Sequence, residues 1–246
     1  MQCNDIGCAV TRIKDLIRQT LWASHAKGIV VGVSGGIDSA VAAAVAVKAL
    51  GPEHVFAVHL PSSTSSPQDQ IDAAELCETL GIEMIIVPLG TVVDAAFEHP
   101  GMTDTPMLRG NYTARLRMAT LYNIAASRDS LVCGTSNKTE YMIGYTTKWG
   151  DSAADVQPLL HLWKKDVYAV AEELGIPVSI IKKAPSAGFW PGQSDERELG
   201  ITYCELDAAL ISLEAHDFVP ETPLEETVLA LVKKSSHKRT PAANLL

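Results

Sequence analysis

The sequence predicts an α/β protein in which a doubly wound parallel sheet is flanked by helices. Short apolar runs of strand length alternate with longer segments of helical periodicity. Two of these runs are followed by turns of small polar residues, at 32–39 and 134–140, as expected where strands enter helices. The 246 residues, 47% hydrophobic and 20% charged, suit one domain of this class, and we expect residues 1–246 to form it.

The first half of the chain is predicted to hold three strands. Apolar residues at helical spacing predict an amphipathic first helix that contains Ile6, Val10, Ile13, Leu16, Ile17 and Leu21. In chain order we then expect a strand at 28–33, a helix at 40–50, a strand at 55–58, a helix from Pro67 to Leu80 and a strand at 82–87. Ser66 is the expected N-cap of the helix from Pro67 to Leu80, and Gly81 is expected to end it.

The second half is predicted to add one strand and several helices. We expect a helix at 91–97, a loop at 99–109, a helix at 111–127, a strand at 130–134, a helix at 164–174, a loop at 184–194 and helices at 205–214 and 224–234. Gly175 and Pro177 mark the end of the helix at 164–174.

Composition argues against several classes of function. The formal net charge of −9 does not favour nonspecific nucleic-acid binding, which depends on a basic surface. Five scattered cysteines without a Cys-x-x-Cys pair indicate neither a zinc ribbon nor a dithiol redox site. No signal-peptide pattern or membrane-spanning apolar run is visible, so we expect a cytoplasmic protein without a membrane partner.

The turn at 32–39, Gly-Val-Ser-Gly-Gly-Ile-Asp-Ser, is the strongest local indication of function. A small-residue turn between strand and helix points backbone N–H groups and the positive helix end at one place, which favours phosphate. Asp38 beside a phosphate calls for an intervening cation, most simply as Mg-ATP. The alternative is a tight turn of purely structural origin with Asp38 and Ser39 capping the helix. The sequence contains neither a Walker A loop nor a Gly-x-Gly-x-x-Gly fingerprint here.

A second polar turn, 134–140, follows the strand at 130–134 and places Glu140 at a helix start. Both turns lie at carboxyl ends of strands, so they can line one crevice. Asp38 and Glu140 together predict a Mg²⁺ site, although Glu140 alone could simply complement a helix dipole. The following segment, 146–155, with Lys148, Asp151 and Asp155, is interpreted either as solvated surface or as a lid over a polar substrate.

Five segments together resemble the ammonia-dependent NAD synthetases of the N-type ATP-pyrophosphatase superfamily, from about residue 10 to residue 241. They are SGGIDS, GTSNKTE, GYTTKWGDSAAD, PSAGFWPGQSDERELG and SSHKR. The SGGxDS loop is shared with GMP synthetase, asparagine and argininosuccinate synthetases and tRNA-modifying enzymes, whereas KWGDSAAD and GQSDERELG are more specific. The resemblance implies an adenine nucleotide alpha hydrolase-like (Rossmann-like) fold.

The resemblance also implies roles for individual residues. ATP would contact Gly32, Val33, Ser34, Gly35, Gly36, Ile37, Asp38, Ser39, Thr135, Lys164 and Ser186, and Mg²⁺ would bind Asp38 and Glu140. The dinucleotide substrate would contact Arg115, Lys148, Asp155, His237 and Lys238. Asp151 and Lys164 would be catalytic. The chain departs from many relatives at 59–64, where they carry an Arg and an aromatic residue, and at Ser186, where they often carry Thr.

The reaction implied is ATP-dependent amidation of deamido-NAD (nicotinic acid adenine dinucleotide). Its carboxylate attacks the α-phosphorus of ATP, pyrophosphate leaves, and ammonia then converts the acyl adenylate to NAD and AMP. We expect free ammonia as the nitrogen donor, no glutaminase domain, and a homodimer with its substrate site at the subunit interface. The alternatives are another SGGxDS-loop ATP pyrophosphatase, GMP synthetase-like or tRNA-modifying, and a noncatalytic nucleotide-binding regulator.

Overall fold

Four strands form one parallel sheet in the order β3-β2-β1-β4. The structure is a computed structural model that describes residues 6–190 and 192–242. The strands are β1 (Gly28–Gly32), β2 (Val55–His59), β3 (Met84–Ile86) and β4 (Ser130–Cys133). Because β2 and β4 flank β1 on opposite sides, the winding direction reverses between β1 and β4, which creates a crevice at their carboxyl ends. The predicted fold class is confirmed.

Helices connect and cover the strands. In chain order they are α1 (Ile6–Ser24), α2 (Ile37–Leu50), α3 (Pro67–Leu80), α4 (Gly90–Phe97), α5 (Pro106–Ser127), α6 (Lys138–Ile143), α7 (Lys164–Leu174), α8 (Val178–Ile181), α9 (Asp195–Leu199), α10 (Tyr203–Ala215) and α11 (Pro223–Lys234). Short 3-10 turns occupy Pro52–His54 and Ser236–Lys238. No helix in the described part of the chain is long and apolar enough to cross a bilayer.

The sheet is buried on both faces, which explains why its strands are continuous apolar runs. Ile29 and Val31 face a core cluster that contains α1, α2 and α7. Val30 lies between them in sequence and faces the opposite cluster, with α4 and α5, as the two-residue period of a strand requires. A separate helical cluster of α6, α10 and α11 packs beside the crevice.

Local end signals account for the helix boundaries that were predicted correctly. The Ser66 hydroxyl accepts from the Gln68 N–H at 3.2 Å and forms a capping box with Asp69, while Gly81 ends α3 at a φ of 67°. The expected loop at 99–109 is wrong in its last residues, because α5 begins at Pro106. Thr105 caps that helix by accepting from the Leu108 N–H at 3.3 Å.

Two short helices were not predicted, and β3 is shorter than expected. Helices α8 and α9 span four and five residues, too few to show a helical period in sequence. The third strand was expected at 82–87 and covers only Met84–Ile86.

The turn between β1 and α2 is held in one conformation by its own side chains and by α3. The Ser34 N–H donates to Ser39 Oγ at 3.1 Å, and the Gly36 N–H donates to Ser34 Oγ at 3.2 Å. Gly35 has a φ of 78°, and a Cβ at this position would lie 2.4 Å from the Asp69 carbonyl oxygen. Only glycine fits, because both the backbone conformation and the close approach of α3 exclude a side chain.

We therefore expect Gly35→Ala to destabilise the protein more than Gly36→Ala. The left-handed backbone alone costs about 1–2 kcal/mol, and the contact with Asp69 adds to it. Gly36 is the matched control, since its φ is −102° and its added Cβ would meet only Ser34 Oγ, at 3.3 Å. The measurement is the free energy of unfolding in urea, and equal losses in the two variants would contradict this interpretation.

Candidate active site

A cavity of about 640 Å³ opens at the carboxyl ends of β1, β2 and β4. Its walls come from the turn after β1, the end of β2, one side of α5, the turn after β4 and residues within 183–190 and 192–198. This is the edge of the sheet at which the sequence predicts a crevice shared by the two polar turns.

Two carboxylates from the two turns converge on one lysine inside this cavity. Lys164 Nζ donates to Asp38 Oδ2 at 2.5 Å and to Glu140 Oε1 at 3.3 Å. Asn137 Nδ2 donates to the other oxygen of Asp38, at 2.8 Å. Lys164 is only 2% exposed. Asp38 and Glu140 therefore point at the same place, where a single ammonium contacts both.

Helix starts position all three charged groups. Asp38 lies in the first turn of α2, and Lys164 is the first residue of α7. Glu140 is the third residue of α6 and forms a capping box with Asn137, whose side chain accepts from the Glu140 N–H at 3.0 Å. Glu140 thus serves its helix end as well as the cavity.

Burial and charge set the protonation of this cluster. Burial raises the pKa of Glu140 to about 7, and the neighbouring Asp38 adds to this effect, while Lys164 opposes it. Burial alone would lower the pKa of Lys164, but Asp38 and Glu140 outweigh it and hold that pKa above its ordinary value. The cluster therefore keeps a charged ammonium between its acids, and Glu140 is a weak acid.

A shell of hydroxyl groups supports Glu140 from the side of α9 and α10. The Tyr203 hydroxyl lies 3.1 Å from Asp195 Oδ2 and 3.4 Å from Glu140 Oε1. Tyr145 donates to the other oxygen of Asp195, at 3.2 Å. Asp195 is buried, and burial raises its pKa, although the Tyr203 hydrogen bond acts in the opposite direction. Tyr145 and Asp195 lie in segments that carry the family resemblance, but sequence reasoning assigned a role to neither, and Tyr203 lies outside those segments.

One buried carboxylate fixes the helix starts that carry Glu140 and Lys164. Asp207, on α10, accepts from the Lys165 N–H at 2.8 Å and from the Thr139 hydroxyl. The same hydroxyl accepts from the Lys164 N–H at 3.0 Å. The first turns of α6 and α7 are thereby joined through a single acceptor, which uses N–H groups that a helix cannot satisfy internally.

Lys183 fixes the turn after β1 from the opposite wall. Its ammonium lies 3.1 Å from the Gly35 carbonyl oxygen and 2.7 Å from both Asp69 Oδ1 and Asp72 Oδ2. Burial alone would lower the pKa of Lys183, but the hydrogen bonds to Asp69 and Asp72 outweigh it and raise the pKa. Sequence reasoning missed this residue because it lies at the end of a segment without a recognisable motif.

Most of the residues predicted to contact ATP, and both predicted catalytic residues, line the cavity. Its walls include Gly32, Val33, Ser34, Gly36, Ile37, Asp38, Ser39, Thr135, Glu140, Asp151, Lys164, Ser186 and Lys238. Its walls do not include Gly35, Arg115, Lys148, Asp155 and His237. The structure therefore places most of the expected ATP residues and both expected metal ligands around one cavity. Of the expected dinucleotide contacts, Lys238 lines the same cavity.

Asp151 and Lys238 face each other across one end of the cavity. Asp151 Oδ1 accepts from the Thr147 N–H at 2.8 Å. Its carboxyl is open to the cavity yet surrounded by protein, and this desolvation raises its pKa, while Lys238 acts in the opposite direction. Lys238 Nζ donates to the carbonyl oxygens of Gly144 and Thr146, at 2.7 and 2.6 Å.

The other expected dinucleotide contacts lie outside the cavity and bind the main chain. Arg115 Nε donates to the Lys148 carbonyl oxygen at 3.2 Å, and Lys148 Nζ donates to that of His237 at 2.5 Å. Asp155 Oδ2 accepts from the Val132 N–H at 2.8 Å. These contacts link Arg115, Lys148 and His237 to one another, whereas Asp155 contacts β4.

The residues present fit a Mg²⁺ ion that also binds phosphate. Residues 6–190 and 192–242 contain no group of three or more His, Cys, Asp or Glu side chains arranged to hold a metal by themselves. Asp38 and Glu140 instead supply two convergent carboxylates. That number suits Mg²⁺, which takes one or two carboxylates and completes its shell with phosphate oxygens and water.

Residues 9–242 match the NAD synthase family. The chain is 51% identical over 242 residues to an NH(3)-dependent NAD(+) synthetase of Methanoregula boonei, covering 98% of each chain. The solved structure of an NMN synthetase from Francisella tularensis is similar, with 37% identity, a TM-score of 0.90 and 99% of each chain covered. The solved structure of an NH3-dependent NAD synthetase from Campylobacter jejuni is also similar, with 31% identity and a TM-score of 0.85. The match covers 99% of this chain and 100% of that one.

The raised pKa of Glu140 predicts a pH-dependent effect of Glu140→Gln. The folded pKa, about 7, exceeds the ordinary value of 4.5, so stability carried by the protonated carboxyl is complete below 4.5 and is lost as the pH rises through 7. Glutamine resembles the protonated form. We expect the variant to gain stability relative to the parent protein from about pH 5 to about pH 8.

The measurement is urea unfolding across this pH range with a chelator present. A Glu140→Gln variant that is less stable than the parent by the same amount at every pH would contradict the prediction. In that case the ion pair with Lys164, rather than burial, would dominate the energetics of Glu140.

Proposed function

The chain belongs to the NAD synthase family, and from this premise we propose that it is a ligase that uses ATP to amidate deamido-NAD with ammonia. The products are NAD, AMP and pyrophosphate. The observation that carries the proposal is the convergence of Asp38, Glu140 and Lys164 beside a phosphate-type turn. A noncatalytic nucleotide-binding module would need no such cluster of charges.

The triphosphate of ATP would lie against the start of α2. The N–H groups of Ile37, Asp38 and Ser39 open this helix and have no hydrogen-bond partner among the described residues. Three free N–H groups at the positive end of a helix suit phosphate oxygens. The Ser34 and Gly36 N–H groups are already paired within the turn, so they maintain its shape.

The first chemical step joins two anionic groups, a carboxylate and a phosphate, and therefore needs charge neutralisation. Mg²⁺, when bound by Asp38 and Glu140, would supply part of it. Lys164 brings an ammonium whose raised pKa keeps it charged, at the point where the phosphates enter. The helix N–H groups supply the remainder and orient the α-phosphorus for in-line attack.

The second step needs neutral ammonia, although ammonium predominates near pH 7. Asp151 is suited to bind ammonium and to accept its proton, because desolvation raises the pKa of this carboxyl. Its position on the cavity wall, at the end that also carries Lys238, supports this role. Free ammonia is the donor that we propose.

We further propose that a second copy of the chain completes the dinucleotide site. The cavity walls do not include Arg115, Lys148, Asp155 and His237, so a dinucleotide that reached them would extend beyond the cavity mouth. Large apolar residues are exposed nearby at the start of α5, at Met107 and Leu108. The cytoplasmic location and the single-domain organisation stay predictions.

A second candidate substrate is nicotinic acid mononucleotide, the carboxylate form of NMN. The similarity to the NMN synthetase structure favours it, at 37% identity and a TM-score of 0.90. The cavity walls also include just one of the predicted dinucleotide contacts, Lys238. The same adenylation and amidation chemistry would serve either acid.

The test is pyrophosphate release from ATP and Mg²⁺ with each acid, with and without ammonia. We expect pyrophosphate release over many turnovers to require both deamido-NAD and ammonia, with formation of NAD and AMP, because without ammonia the reaction stops at the acyl adenylate. A higher kcat/KM for nicotinic acid mononucleotide would favour the second candidate. Release that needs no pyridine nucleotide would contradict both.

We expect Asp151→Asn to impair amidation more than adenylation. Asparagine keeps the shape of the side chain but neither holds ammonium by charge nor accepts its proton. The predicted result is a fall of about 10²-fold or more in NAD formation at neutral pH, with a smaller change in deamido-NAD-dependent exchange of pyrophosphate into ATP. Unchanged amidation rates across the pH range would contradict the role.

A further inference from the structure

The cations that line the cavity fall into two classes. Lys164 is paired with Asp38 and Glu140, and Lys183 with Asp69 and Asp72, so each has two carboxylate partners. The other two cations of the cavity wall are Arg117 and Lys238. Within 6–190 and 192–242 neither of them has an ion pair with a carboxylate. Their charge is therefore available to an anionic ligand.

Arg117 is held by neutral acceptors along one edge of its guanidinium. Nε donates to the Leu60 carbonyl oxygen at 3.0 Å, and Nη2 donates to Ser65 Oγ at 3.4 Å. Nη1 has no hydrogen-bond partner in the described part of the chain. A guanidinium carries five N–H donors, so most of this one's capacity remains for a ligand.

Arg117 lies near both the expected reacting centre and the turn after β1. It lies on α5 and reaches the segment that follows β2. The acidic groups near enough to stabilise its charge are Asp151, at the expected reacting centre, and Asp69, beside the turn after β1. Burial acts more strongly than these groups and lowers the pKa of Arg117. The guanidinium therefore lies in a desolvated setting that an anion would relieve.

Building on the proposed function, we propose that Arg117 binds an oxyanion of the bound substrates through its free donors. The oxyanion is a phosphate or carboxylate oxygen, because these match the planar fork of arginine. It comes either from the triphosphate of ATP or from the pyridine nucleotide. Arg115 is exposed and bound to the Lys148 carbonyl oxygen, so Arg117 is the arginine of this helix that the cavity ligand meets.

The test compares Arg117→Gln and Arg117→Lys with Arg128→Gln as the matched control. Arg128 follows the C-terminal end of α5, with its guanidinium carbon 4.5 Å from the centre of the Phe56 ring, and lies outside the cavity walls. We expect Arg117→Gln to lower kcat/KM at least about tenfold, as for a lost hydrogen bond to a charged group. Arg117→Lys should recover part of the loss, because it restores charge without the fork. The control should stay within about twofold.

Separate kinetic and binding measurements identify the source of the oxyanion. A rise in KM for ATP, or weaker calorimetric binding of ATP, assigns it to the triphosphate. The same changes for deamido-NAD assign it to the pyridine nucleotide, and a fall in kcat alone assigns it to the transition state. Arg117 variants that match the control in all these quantities would overturn the proposal.

Two outcomes, a variant that does not fold and a parent protein that forms no NAD, need separate measurements. Should Arg117→Gln fail to fold, as judged by circular dichroism, Arg117→Lys is compared with the parent protein by the same titrations. Should the parent protein form no NAD, the proposed function fails, yet titration with ATP and with deamido-NAD still measures whether Arg117 binds an anion. Unaltered titrations with both would then overturn the inference.

Discussion

The sharing of one lysine by two carboxylates is the interaction on which the site depends. Asp38 and Glu140 come from helices that follow different strands, 102 residues apart in the chain, and each contacts Lys164 Nζ. Two partly buried carboxylates that both reach one ammonium would repel one another if no cation lay between them. Lys164 therefore allows the acidic pair to exist in the folded chain and places positive charge where phosphates would arrive.

The groups around this trio serve mainly to hold it in place. Asp207 joins the helix starts that carry Glu140 and Lys164, and Tyr203 lies between Glu140 and Asp195. Lys183 ties α3 to the turn after β1. Chemistry that consists largely of positioning and charge neutralisation requires such a rigid surround. Lys164 and Lys183 are therefore held in ion pairs that maintain the site, whereas Arg117 and Lys238 have no carboxylate ion pair in the part of the chain that the structure describes.

Features with a local cause were predictable from sequence. Ser66, Pro67 and Gly81 bound α3 through capping and backbone preferences that act within a few residues, and the order of strands and turns placed Asp38 and Glu140 at one sheet edge. Features that depend on distant partners were not. Asp207 and Tyr203 look like ordinary helix residues until α10 packs against α6. Arg115 and Arg117 lie two positions apart on α5, and only Arg117 lines the cavity. Which side of this helix faces the cavity is set by packing, so the sequence motif that contains both arginines does not distinguish them.

The most direct measurement of the central claim is a crystal structure with ATP and Mg²⁺ bound. The convergence of Asp38 and Glu140 predicts a triphosphate at the start of α2, an ion bound to both carboxylates, and Lys164 Nζ within hydrogen-bond distance of a phosphate oxygen. A triphosphate bound elsewhere in the molecule, or an ion that contacts neither carboxylate, would contradict it.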